Sequence, residues 1–246
     1  MTRPDAALID GIRSALRSAA DPSRAEGMRA YMRSELPFLG VTKPARSAAL
    51  RPLLAAAPAD RAVWEATVRA LYDDATFREE RYAALALLAA KVGRRWHDPD
   101  LVPLLEHLVV TGAWWDLVDE TAAKHVARTH RAHPAPMAEV LRGWSVHDDL
   151  WLRRAAILGQ LGSGLATDRA LLVDVIAPSL DRSEFWLRKA IGWALRDLAH
   201  RDPDWVRGYL AEHGSALSPL SRREAAKHLG DAPTAPTPVA ADVTDG

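Results

Sequence analysis

Between residues 5 and 228 apolar side chains return every three or four positions, and runs of two-residue alternation rich in Val, Ile, Thr and aromatics are missing. A period of about 3.6 puts the apolar positions on one face of a helix, so the chain reads as all-α. Ala, Leu and Arg, which lose little side-chain freedom in a helix, recur almost everywhere. The pattern predicts helices over Asp5–Ser18, Ala25–Arg33, Lys43–Ala56, Arg61–Leu71, Arg78–Val92, Leu101–Val110, Trp114–Thr129, Pro136–Trp144, Leu150–Leu161, Arg169–Ser179, Phe185–His200, Pro203–His213 and Ser218–His228. Asp-Pro and Ser-Pro pairs in HDPDL, RDPDW and LSPLS punctuate them, since Asp or Ser caps a helix and Pro suits its first turn. Ser221 and Glu224 have the spacing of a capping box.

One phrase is repeated. WLRRAAILGQL from Trp151 returns as WLRKAIGWALR from Trp186, a separation of 186 minus 151, or 35 residues, and a weaker echo, ERYAALALLAA, begins at Glu80. That period is one two-helix unit of a solenoid, whose stacked pairs bury a continuous core and leave a concave face for an extended ligand. The expected architecture is a single helical-repeat domain over residues 1–230. The remaining DAPTAPTPVAADVTDG, residues 231–246, has almost nothing to bury and is expected to be a disordered tail.

Composition narrows the possibilities. With 246 residues, 48% of them hydrophobic, the chain buries a sizeable core. Its 32 basic and 32 acidic side chains cancel, so an anionic partner must be met by a local basic surface. Cysteine is absent, which excludes disulfides and thiolate metal sites and makes the cytoplasm the expected compartment. No segment approaches the roughly 18 apolar residues of a membrane span. Asp5, Asp10 and Arg13 break any signal-like run at the N-terminus, which reads as an amphipathic helix.

Chemistry concentrates in a few stretches. GAWWDLVDE places Trp115 and Asp119 four residues apart, on one helix face, so an aromatic surface and an anion share a patch suited to a cation. A Trp in an Ala/Leu-rich helix is otherwise a core residue. Trp193 and Arg196 share a face in the same way, and Arg153, Arg154, Arg188 and Lys189 supply cations on helices that a solenoid would align. Such pairs often decorate a solvated face, yet on a concave one a guanidinium bridges phosphate oxygens in bidentate fashion. Arg222 and Arg223 lie in the first turn of the last helix, where an anion is also favoured. His125, His130 and His133 lack the i, i+4 spacing of a helical zinc site, GSGLATD lacks the Lys-Ser/Thr of a phosphate loop, and no G-x-S-x-G elbow occurs.

YMRSELPFLGVTKPAR, LLEHLVVTGAWWDLVDE, LWLRRAAIL, FWLRKAIGWALRD and LSPLSRREAAKHL, taken together and in this order, resemble the DNA alkylation repair glycosylases of the AlkD family, which are built from HEAT-like repeats. The resemblance runs from about Tyr31 to His228. It implies hydrolysis of the N-glycosidic bond of purines alkylated at N3 or N7 in duplex DNA, with no cofactor, by a monomer that meets DNA in the nucleoid. Matched residue by residue, it implies that Trp115 and Trp193 flank the lesion nucleotide, Asp119 is the catalytic carboxylate and Arg154 contacts a phosphate. Phe185 and Trp186 lie near the duplex, with Lys43, Arg153, Arg188, Lys189, Arg222 and Arg223 as further DNA contacts. Thr42 stands where the family has Gln, which touches a minor DNA contact and not the chemistry. The competing expectation is a helical-repeat module that binds DNA or a protein without catalysis.

Overall fold

The computed structural model describes residues 2–230, and the expected C-terminal tail lies outside the described residues. Among the described residues the chain is helical and contains no strand. α1 (Ala6–Ser18), α2 (Pro22–Met32) and α3 (Lys43–Ala55) form the N-terminal end. Helix pairs follow: α4 (Arg61–Asp73) with α5 (Arg78–Leu88), α6 (Val102–Gly112) with α7 (Trp115–Glu120), α9 (Pro134–Ser145) with α10 (Leu150–Leu158), α11 (Arg169–Ile176) with α12 (Phe185–Ala199), and α13 (Pro203–His213) with α14 (Pro219–Ala226). α7 runs on through a π-helical turn, Thr121–Val126, into α8 (Ala127–Ala132).

The second helix of each pair packs on the second helix of the next, α5 on α7, α7 on α10, α10 on α12 and α12 on α14. First helices do the same where α4 meets α6 and α9 meets α11. This is the helical-repeat arrangement, and the three echoed phrases fall in α5, α10 and α12, all second helices. A recurring apolar face recurs because each copy fills the same gap between layers.

Local chemistry sets the boundaries. Asp5, Asp60, Asp149, Asp168 and Asp202 each accept a backbone N–H from the first turn of the helix they precede. α2 begins three residues before the predicted Ala25, because Asp21 caps it and Pro22 occupies its first position. The predicted capping box at Ser221 does not form. Ser218 is the cap, accepting from Ser221 N at 3.0 Å with Pro219 behind it, and Glu224 turns to a different task described below.

The core runs the length of the stack. Trp64 and Tyr72 are fully buried, yet Trp64 Nε1 donates to the Leu87 carbonyl at 3.2 Å and Tyr72 Oη to that of Leu108 at 2.9 Å. Without those acceptors each polar tip would cost about 1–3 kcal/mol. No helix among the described residues is long and apolar enough to cross a membrane.

Candidate functional site

α6 ends at Gly112, and the chain turns through Ala113 in the left-handed region (φ 41°) directly into α7. A Cβ on Gly112 would lie 2.3 Å from Tyr72 Oη, so the turn forms only because that position carries no side chain. Asp116, in the first turn of α7, then accepts from Arg78 and from the Tyr82 hydroxyl, both on α5. That pair of bonds locks the start of α7 onto the preceding layer. Trp115 and Asp119, one helical turn apart, consequently face the same open cleft of about 660 Å³.

α10 lies between α7 and α12, contacting both, and carries Arg154 to the Asp119 carboxylate. Arg154 Nε reaches Oδ1 at 2.6 Å and Nη2 reaches Oδ2 at 2.7 Å, a bidentate fork, while Nη1 donates to the Trp186 carbonyl at 2.5 Å. The pair is buried, Asp119 being 8% and Arg154 2% exposed. Burial pushes the Asp119 carboxyl above its ordinary 3.8, and the guanidinium pulls the other way. Each carboxylate oxygen keeps a second lone pair beyond the one Arg154 uses. An oriented anion at a cleft wall, held by one cation and flanked by indoles, is the outcome.

The aromatic surface is larger than the sequence suggests. Trp114, Trp151 and Trp186 form a mutual cluster with ring centroids 5.6 to 6.2 Å apart. Phe185, 54% exposed, stands edge-on to Trp186 at 5.0 Å. Trp193 lines the cleft from α12 together with Lys189 and Arg196. Both cations are held by Glu224 on α14, Lys189 Nζ at 2.7 Å and Arg196 Nη1 at 2.9 Å, with Lys227 as a third partner at 2.7 Å. Hydrogen bonds from Lys189 and Lys227 hold the Glu224 carboxyl down at about 2, against an ordinary 4.5. Glu224 is thus the anchor of a basic rim.

The fold brings Trp115, Asp119, Arg154, Phe185, Trp186, Lys189 and Trp193 into one cleft. It does not bring the others there. Arg153 points away and donates to the carbonyls of Val146, His147 and Pro178, holding the turn before α10. Arg188 donates to the Arg182 carbonyl. Arg222 donates to the Gly214 carbonyl and Arg223 is exposed elsewhere on α14. Thr42 precedes α3 without a side-chain bond to its first turn, and Lys43 lines a separate groove of about 440 Å³ beside α5. Arg154, expected to grip a phosphate, has at most the second N–H of each Nη left for one. Its main partner is Asp119.

Three cleft residues were not anticipated: Tyr31, Arg33 and Trp114. Tyr31 is 78% exposed on α2, a helix with a single buried residue, Met32. An aromatic at a helix end with no buried face to serve was the available signal. The approach of α2 to α7 and α12 is a long-range property with no local mark.

The sequence from residue 12 to residue 229 matches the family described as DNA alkylation repair enzyme. Among solved structures, a chain described as a predicted DNA alkylation repair enzyme from Enterococcus faecalis is similar, with a TM-score of 0.78 and 30% sequence identity, over 87% of this chain and 98% of that one. A search of curated proteins finds no match. With its helical-repeat fold and a match over most of its length, this chain belongs to the family of DNA alkylation repair enzymes.

Proposed function

We propose that this protein is a DNA glycosylase that hydrolyses the N-glycosidic bond of purines carrying a cationic N3 or N7 alkyl group in duplex DNA. The observation that carries this reading is Asp119, a buried carboxylate and the one acid that lines the indole-walled cleft among the described residues. Alkylation makes the purine a cation, so when the bond from C1′ to the base breaks, its electron pair leaves with the base as a neutral molecule. No general acid is required. Positive charge grows on the deoxyribose instead, an oxocarbenium-like transition state, and water adds at C1′ and releases a proton to solvent. Asp119 stabilises that charge and orients the water, while Trp115 and Trp193 add about 0.5–2 kcal/mol each through their faces.

Arg154 is a positioning residue in this scheme. Its fork fixes the carboxylate plane and keeps the buried group ionised, although it also shares the negative charge the sugar would use. That sharing is the observation favouring a noncatalytic DNA-binding relative, in which the pair is purely structural. The second groove supports a duplex in either case, since Lys43, Arg46, Arg51, Lys91, Arg94 and Lys124 line it against one acid, Glu120.

The test is single-turnover base release from a duplex carrying one N7-methylguanine. Wild type releases the base, and Asp119→Asn lowers the rate by about 100-fold or more, as loss of an oriented electrostatic group does. Because Asp119 also neutralises Arg154, thermal melting is followed alongside. Trp115→Ala, which leaves the ion pair intact, lowers release by roughly 10-fold. Salt-dependent duplex binding without release from this substrate or from a bulkier N3-adenine adduct establishes the noncatalytic relative.

A further inference from the structure

Behind Trp114, a second cavity of about 370 Å³ opens between the end of α2 and the end of α6, and it shares Arg33 and Trp114 with the cleft. Its walls carry Arg33, Arg78 and Arg81 against one acid, Glu35. Among the described residues only Arg78 of these three pairs with a carboxylate, that of Asp116. Arg81 donates Nη1 to the Thr111 carbonyl at a long 3.3 Å and lies over the Tyr72 ring, 5.0 Å from its centroid. Arg33 and Arg81 therefore have no salt-bridge partner among the described residues, and with Glu35 counted the wall keeps one positive charge in excess.

Hydrogen bonding points the same way. Nε of Arg78, Nε of Arg81 and the indole Nε1 of Trp114 are buried donors with no acceptor, and all three belong to residues of this wall. Arg78 is 5% exposed, so bulk water does not serve it. A buried donor is ordinarily satisfied, so three orphans on residues of one wall mark hydrogen bonding left incomplete there. Ordered water would accept such bonds but would not balance the charge.

The backbone adds an independent mark. Arg33 (φ 49°) and Ala113 (φ 41°) are the non-glycine residues with positive φ among the described residues, and both line this cavity. Helices commonly end this way on Gly or Asn, and other residues held there cluster at ligand clamps.

We propose that this cavity is a subsite for one phosphate group, whose charge and acceptor oxygens suit a wall carrying three guanidinium groups and an indole. The phosphate is a backbone phosphodiester of a duplex seated in the neighbouring cleft, an assignment that rests on the function proposed above. Arg33 and Trp114 border both spaces, so a strand in the cleft lies within reach of the cavity. Seating the group requires Arg81 to turn from the Thr111 carbonyl, a weak bond to give up.

The test uses the full chain and needs no damaged base. The arginine Nε–H and tryptophan indole N–H resonances are followed by NMR during titration with an undamaged duplex and, separately, with inorganic phosphate, with Arg81→Gln identifying the Arg81 signal. Salt dependence of duplex affinity is measured for wild type, Arg81→Gln and Arg33→Gln, the last being an exposed residue whose removal does not threaten the fold. The expected result is that duplex shifts the Arg81 and Trp114 resonances and that each variant lowers the salt slope by about one unit, with affinity falling roughly 3- to 10-fold at moderate salt. Shifts with inorganic phosphate alone keep the subsite and assign it to a free anion. Unmoved Arg81 resonances with both ligands, together with wild-type salt slopes in both variants, overturn it. Duplex binding that moves Arg81 without any base release leaves the subsite standing and removes the glycosylase reading instead.

Discussion

At Asp119 one carboxylate neutralises a buried guanidinium and borders the cleft, and its protonation undoes both roles. Burial raises its pKa above 3.8. Base release by the proposed chemistry therefore falls on acidification with a midpoint above 3.8, which a pH profile of single-turnover rates reads directly. A midpoint at or below 3.8 argues against Asp119 as the group that titrates. The π turn carries His125, which pairs with His97. His97 Nδ1 faces the Gly93 carbonyl at 3.1 Å and so carries the proton, which leaves His97 Nε2 to accept from His125 Nδ1 at 3.1 Å. His125 Nε2 then has a bare lone pair and no partner. Burial pushes His97 down to about 4 and His125 well below 6.5. The unfolded chain binds more protons between about pH 6.5 and 4, so stability falls as pH drops through that window, on the order of 3 kcal/mol for His97 alone. The melting temperature is expected to decline steadily from about pH 7 to about pH 5. His125→Asn keeps a donor at the Nδ1 position without titrating, and its decline is shallower; an unchanged slope removes the pair as the cause.

At the scale of the element, helix composition leaves open how closely two helices approach. Gly192 on α12 has Glu224 Cβ 2.5 Å and the Ser221 carbonyl 2.9 Å from where its own Cβ would stand. That gap lets Glu224 reach Lys189 and Arg196, and it lets Ser221 Oγ donate to the Arg188 carbonyl at 2.8 Å. Gly192→Ala gains helix propensity of about 1 kcal/mol and loses about 1–3 kcal/mol to overpacking, so it destabilises. Gly143 on α9 and Gly208 on α13 have nothing within 4 Å of the place a methyl group would take, and there the same substitution stabilises by up to about 1 kcal/mol. Chemical denaturation of the three variants separates them, and a stabilised Gly192→Ala would mean that α12 and α14 move apart freely. The π turn belongs to this scale as well. Thr121 Oγ1 donates to the Leu117 carbonyl at 2.8 Å and Thr129 Oγ1 to that of His125 at 3.0 Å, bracketing a widened turn directly after Asp119.

For the whole molecule, balanced charge conceals an uneven distribution. Acids are consumed as helix caps and as partners of cations, at Asp21, Asp60, Asp116, Asp119, Asp149 and Glu224. Lys43, Arg46, Arg51, Lys91 and Arg94, which have no salt-bridge partner among the described residues, line the second groove. Duplex affinity is expected to fall linearly with the logarithm of salt concentration despite zero net charge. Replacing both Arg51 and Lys91, exposed on the second groove, by Gln lowers that slope by up to about two units. A slope identical to wild type shows that the duplex does not reach this groove.

The helical class, the 35-residue repeat and the Trp115/Asp119 pairing were legible in the sequence, because each depends on spacing within one helix or between copies of one phrase. Local periodicity follows from the 3.6-residue turn and needs no tertiary information. Motif order likewise carried the family. The tertiary structure alone decided that Arg154 forks onto Asp119, that Arg153 and Arg188 turn away, and that Glu224 gathers Lys189, Arg196 and Lys227. Neighbouring arginines in WLRR point to different faces about 100° apart, and which face meets a carboxylate depends on a helix 35 residues distant. The approach of Tyr31 and Arg33 to α7 is of the same kind. Side-chain partners between layers are fixed by how the layers stack, and stacking is a sum over the whole core that no single stretch of sequence contains.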